Sequence, residues 1–183
     1  MSEYRVAARY AKSLLDLAKE QNNVDAVLND MRTFARLAAK NKEMALLLNS
    51  PIINGDKKIA VLNRLFESTF QKVTISFFEI IIRKKRENFL ESVANGFIEQ
   101  FNTLNNISTA TVKSAVPLSN EVIAEIKSHI EKQTGKTITL TASVNPDLIG
   151  GLVVQVEDKL FDASIAGKLG KLKHELLNSY ISK

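Results

Sequence analysis

The residues that could carry out chemistry in this chain are few and widely spaced. The 183 residues include no cysteine, which excludes a disulfide framework, a thiolate metal site and a cysteine nucleophile. The two histidines, His129 and His174, stand far apart and outside any H-E-x-x-H or H-x-H pattern, whereas a zinc site needs more ligands at closer spacing. No Ser-His-Asp arrangement, paired carboxylates or glycine-rich cofactor loop is visible. We therefore predict no catalytic residue, no metal and no cofactor.

Two short glycine motifs resemble loops that bind phosphate or RNA. Residues 135–137 (GKT) resemble the end of a phosphate-binding loop, but Ile130 stands where that loop needs a glycine. We interpret Gly135 as the C-cap of a helix. Residues 167–170 (GKLG) have the spacing of the GxxG loop of a KH module. Because an apolar stripe runs through them, we interpret both glycines as part of one helix.

The densest basic run is Arg83-Lys84-Lys85-Arg86, in a chain of net charge +5. The first 105 residues hold 16 basic and 12 acidic residues, a mild bias compared with most nucleic-acid-binding modules. We interpret the run as a solvated helix end whose dipole it balances. Two other classes stay open: a nucleic-acid-binding helical protein that uses this run, and a small enzyme, for which the sequence offers no cluster of titratable residues.

The elements that must position these residues change character near residue 105. Before it, glycine and proline occur only at Gly55, Gly96 and Pro51, whereas the last 78 residues contain seven of them. Such a shift marks a domain boundary. We therefore predict two domains, 1–105 and 106–183.

The first domain has the three- and four-residue apolar spacing of amphipathic helices. We predict a bundle of six helices around one core. The fifth is apolar nearly all round, so we expect it to be central or covered by a partner. The predicted helices are a first with apolar positions from Ala7 to Ala18, a second capped by Asn22 or Asn23, a third over Glu43–Leu48 opened by Asn41, a fourth that starts at Gly55-Asp56, a fifth over Ile75–Arg86 started by Thr74, and a sixth capped by Asn88.

The second domain is richer in β-branched residues and changes to the two-residue period of strands. We predict a small α+β domain, which makes the whole chain α+β and mainly α. Its predicted elements are strands over Ile107–Val116, Lys136–Val144 and Gly151–Val156, a hairpin turn at Asp158-Lys159 into Leu160-Phe161, a helix capped by Ser119 or Asn120 and ended by Thr134-Gly135, and a closing helix capped by Ser164.

The C-terminal half carries a resemblance to a known family. Residues 138–157 (ITLTASVNPDLIGGLVVQVE) and 158–169 (DKLFDASIAGKL) resemble the signature of the F-type ATP synthase delta subunit, whose mitochondrial counterpart is the oligomycin-sensitivity-conferring protein. Residues 6–18 (VAARYAKSLLDLA) resemble the first helix of that family, and the spacing from Arg86 to Phe97 agrees with it. The family often has glycine at the positions of Glu157 and Ala163.

The residue types at the motif positions of this signature indicate structural roles. Gly150 and Gly151 give the backbone freedom to enter a strand that packs closely against a neighbour. Asp158 and Asp162 stand where turns or caps are expected, and Ser164 can accept the first free amides of the last helix. We expect these residues to shape the fold rather than to react.

The resemblance implies a non-catalytic adaptor in the peripheral stalk of ATP synthase. In this family the N-terminal bundle binds N-terminal segments of the alpha subunits on the catalytic head, and the C-terminal domain binds the b subunits. The stalk resists the torque of the rotor during proton-driven synthesis. We expect a groove beside the first and fifth helices to hold a partner helix. The residues predicted to surround it are Ala7, Tyr10, Leu14, Phe77, Ile80 and Ile81.

The location of the protein is predicted from what its sequence lacks. No apolar run approaches the ~20 residues of a spanning helix, and the start MSEYRVAARY has no apolar export signal. We expect an intracellular bacterial subunit at the cytoplasmic face of the cell membrane. It would meet the membrane only through the complex and would bind no nucleic acid.

Overall fold

Helices make up the regular structure described before residue 105, and the described strands all lie after it. The computed structural model describes residues 3–170 and 172–173. Its Cα positions divide the chain into Met1–Leu104, which we call the helical unit, and Asn105–Lys183, which we call the sheet unit. The chain is therefore α+β and mainly α, which confirms the predicted fold class.

The helical unit has one apolar core. Its first helix packs on its last, and Gly96 allows this approach because a Cβ there would lie 3.5 Å from that of Ala11. The ring centroid of Phe34 lies 4.7 Å from that of Phe78, with the rings tilted, and 6.0 Å from that of Phe66, edge to face. The helices are α1 (Glu3–Glu20), α2 (Val24–Lys40), α3 (Lys42–Asn49), α4 (Gly55–Phe66), α5 (Lys72–Arg83) and α6 (Leu90–Leu104), the last preceded by a 3-10 turn at Glu87–Phe89.

Only part of the predicted capping in the helical unit is confirmed. The Asn41 side chain accepts hydrogen bonds from the amides of Glu43 and Met44, as predicted. The prediction for Asn88 is wrong, because this residue lies inside the 3-10 turn that precedes α6. Asn23 occupies the N-cap position of α2 but makes no side-chain cap. Asn22 instead ends α1, since its φ of 54° allows the reversed turn that closes a helix.

The predicted start of α5 at Thr74 is also wrong. The helix begins two residues earlier, because Asp30 of α2 accepts the amide of Gln71 at 2.8 Å and takes over the capping. The Thr74 hydroxyl donates to the same carboxylate oxygen at 2.7 Å and is buried. A carboxylate at this end is favoured by the helix dipole.

Helix α5 ends at Arg83 rather than at the predicted Arg86. Lys85 adopts a φ of 56°, its amide donates to Ile82 and the Arg86 amide donates to Ile81. This is the pattern that closes a helix through a left-handed residue. The basic run therefore spans the last turn of α5 and the reversal that follows.

The sheet unit is a four-stranded sheet with a helix on one face. The strand order is β2-β1-β3-β4, with β1 parallel to β2 and the other neighbours antiparallel. Its small core contains Ala110, Ile138 and Val156 of the sheet and Ile130 of the helix. The elements are β1 (Ile107–Ser114), α7 (Asn120–Thr134), β2 (Thr137–Val144), a 3-10 turn (Pro146–Leu148), β3 (Leu152–Val156) and β4 (Lys159–Asp162), followed by helical residues at 165–170.

The ends of the sheet-unit elements combine confirmed and wrong predictions. Ser119 caps α7 through the Val122 amide, and Gly135 ends it at a φ of 66°, as predicted. The hairpin turn is one residue earlier than predicted, because Val156 pairs with Lys159 and leaves Glu157 and Asp158 in the turn. Strand β1 stops at Ser114, whose hydroxyl donates to the carbonyl of Val116, so the prediction of a strand through Val116 is wrong.

The described helices differ from membrane-spanning helices in length and apolarity. None of them is both long enough and apolar enough to cross a bilayer.

Candidate functional site: an apolar groove and a glycine-rich turn

The residues predicted to bind a partner helix differ in accessibility. Ala7 and Leu14 of α1 and Ile81 of α5 are buried in the core of the helical unit. Phe77 lies at the edge of that core, and Tyr10 is half-buried. Ile80 is 52% exposed. Phe77 is only 8% exposed, so four of the six residues are buried, and Tyr10 and Ile80 can be touched from outside.

The groove predicted from the sequence would lie between α1 and α5, which meet at Tyr10 and Phe77. The rings of Tyr10 and Phe77 meet edge to face, with centroids 6.4 Å apart, and so join the two helices. On α5, Val73, Phe77 and Ile80 follow the i, i+4, i+7 spacing of one helix face. On α1, the exposed Leu17 lies two turns after Tyr10 on the same side. We call these five residues the α1/α5 groove.

Leu17 is a groove residue that the sequence interpretation missed. Its signal was available, because it stands seven residues after Tyr10 on a helix whose core positions are occupied by Leu14 and Leu15. A leucine beside a complete core stripe indicates surface that something else covers.

Arg86 lies against the groove at Tyr10. Its guanidinium carbon is 5.8 Å from the Tyr10 ring centroid, and its Nη1 donates to the phenol oxygen at 3.4 Å. A cation over an aromatic face is attracted by the ring quadrupole. Arg86 therefore fixes the ring and leaves its own positive charge at the surface.

The motif residues of the sheet unit meet at one turn. The Ser164 hydroxyl accepts from the Gly167 amide at 2.9 Å and so caps the helical residues 165–170. The Asp162 carboxylate accepts the Ser164 amide at 2.8 Å. The Gly150 carbonyl accepts the Ile165 amide at 2.9 Å, which ties the start of β3 to this cap.

Two glycines make room for this turn. Gly151 has a φ of 77°, and a Cβ there would collide with the carbonyl oxygen of Ala163 and lie 3.1 Å from the Cα of Ser164. A Cβ at Gly167 would collide with the Asp162 carboxylate. The interpretation of Gly167 as part of a helix is confirmed by the helical residues 165–170, but its contact with Asp162 was not visible in the sequence, because only the fold brings Asp162 beside it. The cluster supports local packing and holds no reactive group.

Glu157 and Asp158 form the neighbouring hairpin turn. Glu157 has a φ of 51°, in the left-handed region that favours glycine. Its carboxylate accepts from Lys136 Nζ and, at 3.1 Å, from the Ser108 hydroxyl. The hydrogen bond from Lys136 holds the pKa of Glu157 below its ordinary value, and the Ser108 hydroxyl and the charge of Lys136 lower it further. These contacts hold the turn onto β1.

The described part of the chain offers few groups that could react or hold a metal. No cluster of three or more potential metal-ligating side chains occurs among those residues. His129 is exposed and its Nε2 lies 3.1 Å from Gln133 Nε2. His174 lies outside the described residues.

Known proteins resemble this chain over nearly its whole length. Residues 6–176 match the family model described as ATP synthase delta (OSCP) subunit. The chain is 36% identical to ATP synthase subunit delta of Christiangramia forsetii over 98% of this chain and 97% of that protein, and 34% identical to the same subunit of Chlorobium phaeobacteroides over 96% and 98%. A chain in the cryo-EM structure of the Toxoplasma gondii mitochondrial ATP synthase hexamer has a TM-score of 0.69 at 22% identity, covering 93% of this chain and 97% of that one, which shows a shared fold.

Proposed function

This chain belongs to the ATP synthase delta (OSCP) subunit family, and from that premise we propose that it is a non-catalytic adaptor of the peripheral stalk. Its residues 1–105, as a six-helix bundle, bind N-terminal segments of the alpha subunits on the catalytic head. Its residues 106–183 bind the b subunits. The adaptor acts at the cytoplasmic face of a bacterial cell membrane, which it meets only through the complex. It holds the head against rotor torque during proton-driven ATP synthesis.

The observation that carries this proposal is the α1/α5 groove. Ile80 is half exposed on a helix whose other apolar side chains already fill a core, so its exposure serves no internal packing. Apolar side chains on both α1 and α5 suit the apolar stripe of an amphipathic helix. The proposed ligand is therefore one helical segment of an alpha subunit.

The six residues predicted from the sequence have two roles in binding, direct contact and support from the core. Tyr10 and Ile80 contact the alpha segment directly, and the buried Phe77 packs against the Tyr10 ring. Ala7, Leu14 and Ile81 hold the two helices in place from within the core. A task of this kind needs stiffness and apolar contact, which the packed helical unit supplies without a reactive side chain.

The test measures binding of a synthetic peptide of the alpha-subunit N-terminus to the full chain by calorimetry. We expect Ile80→Asp to weaken binding at least tenfold, because a buried interface anchor is worth about 1–3 kcal/mol. The matched control is Leu65→Asp on α4, since Leu65 is 53% exposed and lies outside the groove. Equal losses in both variants, or none in Ile80→Asp, would contradict the proposal.

The same titration separates this function from nucleic-acid binding by Arg83–Arg86. Binding through apolar contacts changes little with added salt, whereas phosphate binding falls steeply. We expect affinity for the alpha peptide to change less than threefold between 50 and 200 mM salt. A pull-down of the nuclease-treated full chain should retain head and b subunits.

A further inference from the structure

A pocket opens beside Tyr10, where α1 meets the segment that connects α5 to α6. Two of its side chains, Val6 and Phe89, are half-buried and apolar, and two others, Arg9 and Arg86, are exposed and positively charged. We call this place the arginine pocket. Its lining residues are Val6, Arg9, Tyr10 and Ser13 of α1 and Arg86 and Phe89 of the connecting segment.

Neither arginine of this pocket forms an ion pair with another described residue. The cations that do so are Lys58, Arg83, Lys127 and Lys136. Glu87, the carboxylate next to Arg86 in the sequence, is taken by Lys58 Nζ at 2.6 Å. The arginine pocket therefore holds two positive charges that the described part of the chain does not neutralise.

The contact between Arg86 and Tyr10 leaves most of the donors of this pocket unused. Arg86 Nη1 donates to the Tyr10 phenol oxygen at 3.4 Å, and its guanidinium carbon lies 5.8 Å from the ring centroid. A guanidinium has five N–H donors, and a phenol that accepts a hydrogen bond still keeps its own hydrogen to donate. The pocket can therefore donate several hydrogen bonds to one anion.

The chemistry of these donors favours a carboxylate. Arginine forms paired N–H bonds that match the two oxygens of a carboxylate, and such charge-assisted bonds are stronger than bonds between neutral groups. The Ser13 hydroxyl is already engaged, because it donates to the carbonyl of Arg9 at 3.0 Å. Arg9, Arg86 and the Tyr10 hydroxyl are therefore the groups that would hold the anion.

The rest of the basic run does not join this pocket. Arg83 and Lys85 line a different depression, beside the connection between α3 and α4. Arg83 also lies 3.8 Å from the carboxylate of Glu79. A nucleic acid strand or an anionic membrane is bound by several cations on one face. The division of the run between two depressions favours a single compact anion at Arg86.

The arginine pocket is continuous with the α1/α5 groove, because Tyr10 belongs to both. A helix that covers the Tyr10 ring with one apolar side chain has its next residues on the same face three or four positions away, at about 5–6 Å. A side chain at such a position reaches the pocket from the groove. The ligand of the pocket can therefore be part of the helix that binds in the groove.

We propose that the arginine pocket binds the side-chain carboxylate of one Asp or Glu in the alpha-subunit segment, three or four residues from the apolar side chain that covers Tyr10. The carboxylate accepts hydrogen bonds from Arg9 and Arg86. Apolar contacts alone allow a helix to shift along a groove, whereas a charge pair fixes its register. This inference rests on the proposed function, because it names a group of the same partner.

Calorimetry with the full chain and a synthetic peptide of the alpha-subunit N-terminus tests the arginines. We expect Arg86→Gln to weaken binding about fivefold, the upper end for an exposed ion pair, and Arg9→Gln to weaken it about threefold. The matched control is Arg83→Gln, since this side chain is 74% exposed in the same basic run and lies outside the pocket. An equal loss in Arg83→Gln, or unchanged binding in both Arg86→Gln and Arg9→Gln, would overturn the inference.

Substitutions in the peptide separate a charge pair from an indirect effect on the Tyr10 ring. Each Asp and Glu of the peptide is replaced in turn by Asn or Gln. We expect one position to lose about fivefold against the unsubstituted chain and nothing further against Arg86→Gln, since the pair is already broken. If Arg86 only holds the Tyr10 ring, its substitution weakens all peptides by the same factor. Absence of a coupled position would therefore overturn the inference.

Inorganic phosphate is the competing ligand for two unpaired arginines. Millimolar phosphate is titrated into the full chain and into Arg86→Gln without peptide. We expect no binding that depends on Arg86, because a free anion lacks the apolar contacts of the helix. Phosphate binding that is lost in Arg86→Gln, together with no coupled peptide position, would assign the pocket to a free anion and overturn the inference.

The two proposals fail in different ways. A chain that does not bind the alpha peptide contradicts the proposed function and this inference together. Peptide binding that is weakened by Ile80→Asp but unchanged in Arg86→Gln and Arg9→Gln contradicts this inference alone.

Discussion

The helical unit and the sheet unit differ in how much they bury for themselves. The helical unit encloses large aromatic side chains such as Phe34, Phe78 and Phe97, whereas the largest fully buried side chain in the described part of the sheet unit is Ile138. The sheet unit meanwhile leaves Val144 and Phe161 exposed. A fold that buries little opens at low free energy. The contrast indicates a well-packed helical unit and a sheet unit with a small core.

The largest change in the free energy of unfolding is expected from a cavity in the aromatic core of the helical unit. Phe34→Ala removes a ring that contacts Phe66 and Phe78, and should lower the free energy of unfolding of the helical unit by about 3–5 kcal/mol. Hydrogen exchange of the full chain would show the loss in α1 to α6. If amides of the sheet unit accelerate equally, the two units share one unfolding transition and the contrast fails.

The next largest effect is expected at a buried ion pair of the helical unit. Lys58 Nζ donates to Glu87 at 2.6 Å and to the carbonyl of Leu48 at 2.8 Å. Lys58→Ala leaves the mostly buried carboxylate uncompensated and should cost about 3 kcal/mol. Lys57→Ala is the control at an exposed neighbour and should stay within about 0.5 kcal/mol. Denaturant unfolding followed by circular dichroism measures both, and equal costs would show that the pair contributes nothing.

A smaller effect, confined to the sheet unit, sharpens the comparison. Gly151→Ala places a Cβ against the carbonyl of Ala163 in a left-handed backbone, and we expect a loss of more than about 2 kcal/mol. Gly135→Ala has a similar φ but open space around it, so only the backbone cost of about 1 kcal/mol applies. Local hydrogen exchange distinguishes the two variants. Equal losses would mean that the close approach at Gly151 adds no strain.

The smallest effect concerns the pH dependence of the sheet unit. The pKa of Glu157 is lowered from its ordinary value of 4.5, so the folded state binds fewer protons than the unfolded state in acid. The stabilisation is present above pH 4.5 and is lost as the pH falls through the lower folded pKa. Glu157→Gln should flatten this acid slope in melting curves between pH 3 and 6. An unchanged slope would assign the acid sensitivity to other carboxylates.

Apolar spacing predicted the elements of both units better than it predicted their ends. The stripes of α1 and α2 and the alternation in β2 follow from local periodicity, so their positions were visible in the sequence. The start of α5 depends on Asp30, which lies 41 residues from the amide that it caps. No local pattern shows such a partner. The burial of Lys58 was hidden for the same reason, since its partner Glu87 lies 29 residues away.

The candidate sites show the same limit. Tyr10, Phe77 and Ile80 were predicted from helix spacing and family resemblance, whereas Leu17 and Val73 were not. Which apolar side chains of α1 and α5 remain exposed depends on how the helices pack. The edge position of β2 was likewise invisible in the sequence, because strand order decides it. The uncharged sequence of β2 is equally typical of a strand in the centre of a sheet.

Because α1 packs on α6, α1 can be buried only after most of the helical unit has been synthesised. Gln100 donates to the carbonyl of Ala8 at 2.9 Å, across 92 residues, so the first helix made meets its main neighbour near the end of the helical unit. At roughly 5–20 residues per second, the apolar stripe of α1 waits on the order of ten seconds before α6 has been made. During that interval the stripe is open to chaperones or to misassembly with other nascent chains. The helical unit therefore cannot complete its core until its last helix has been made.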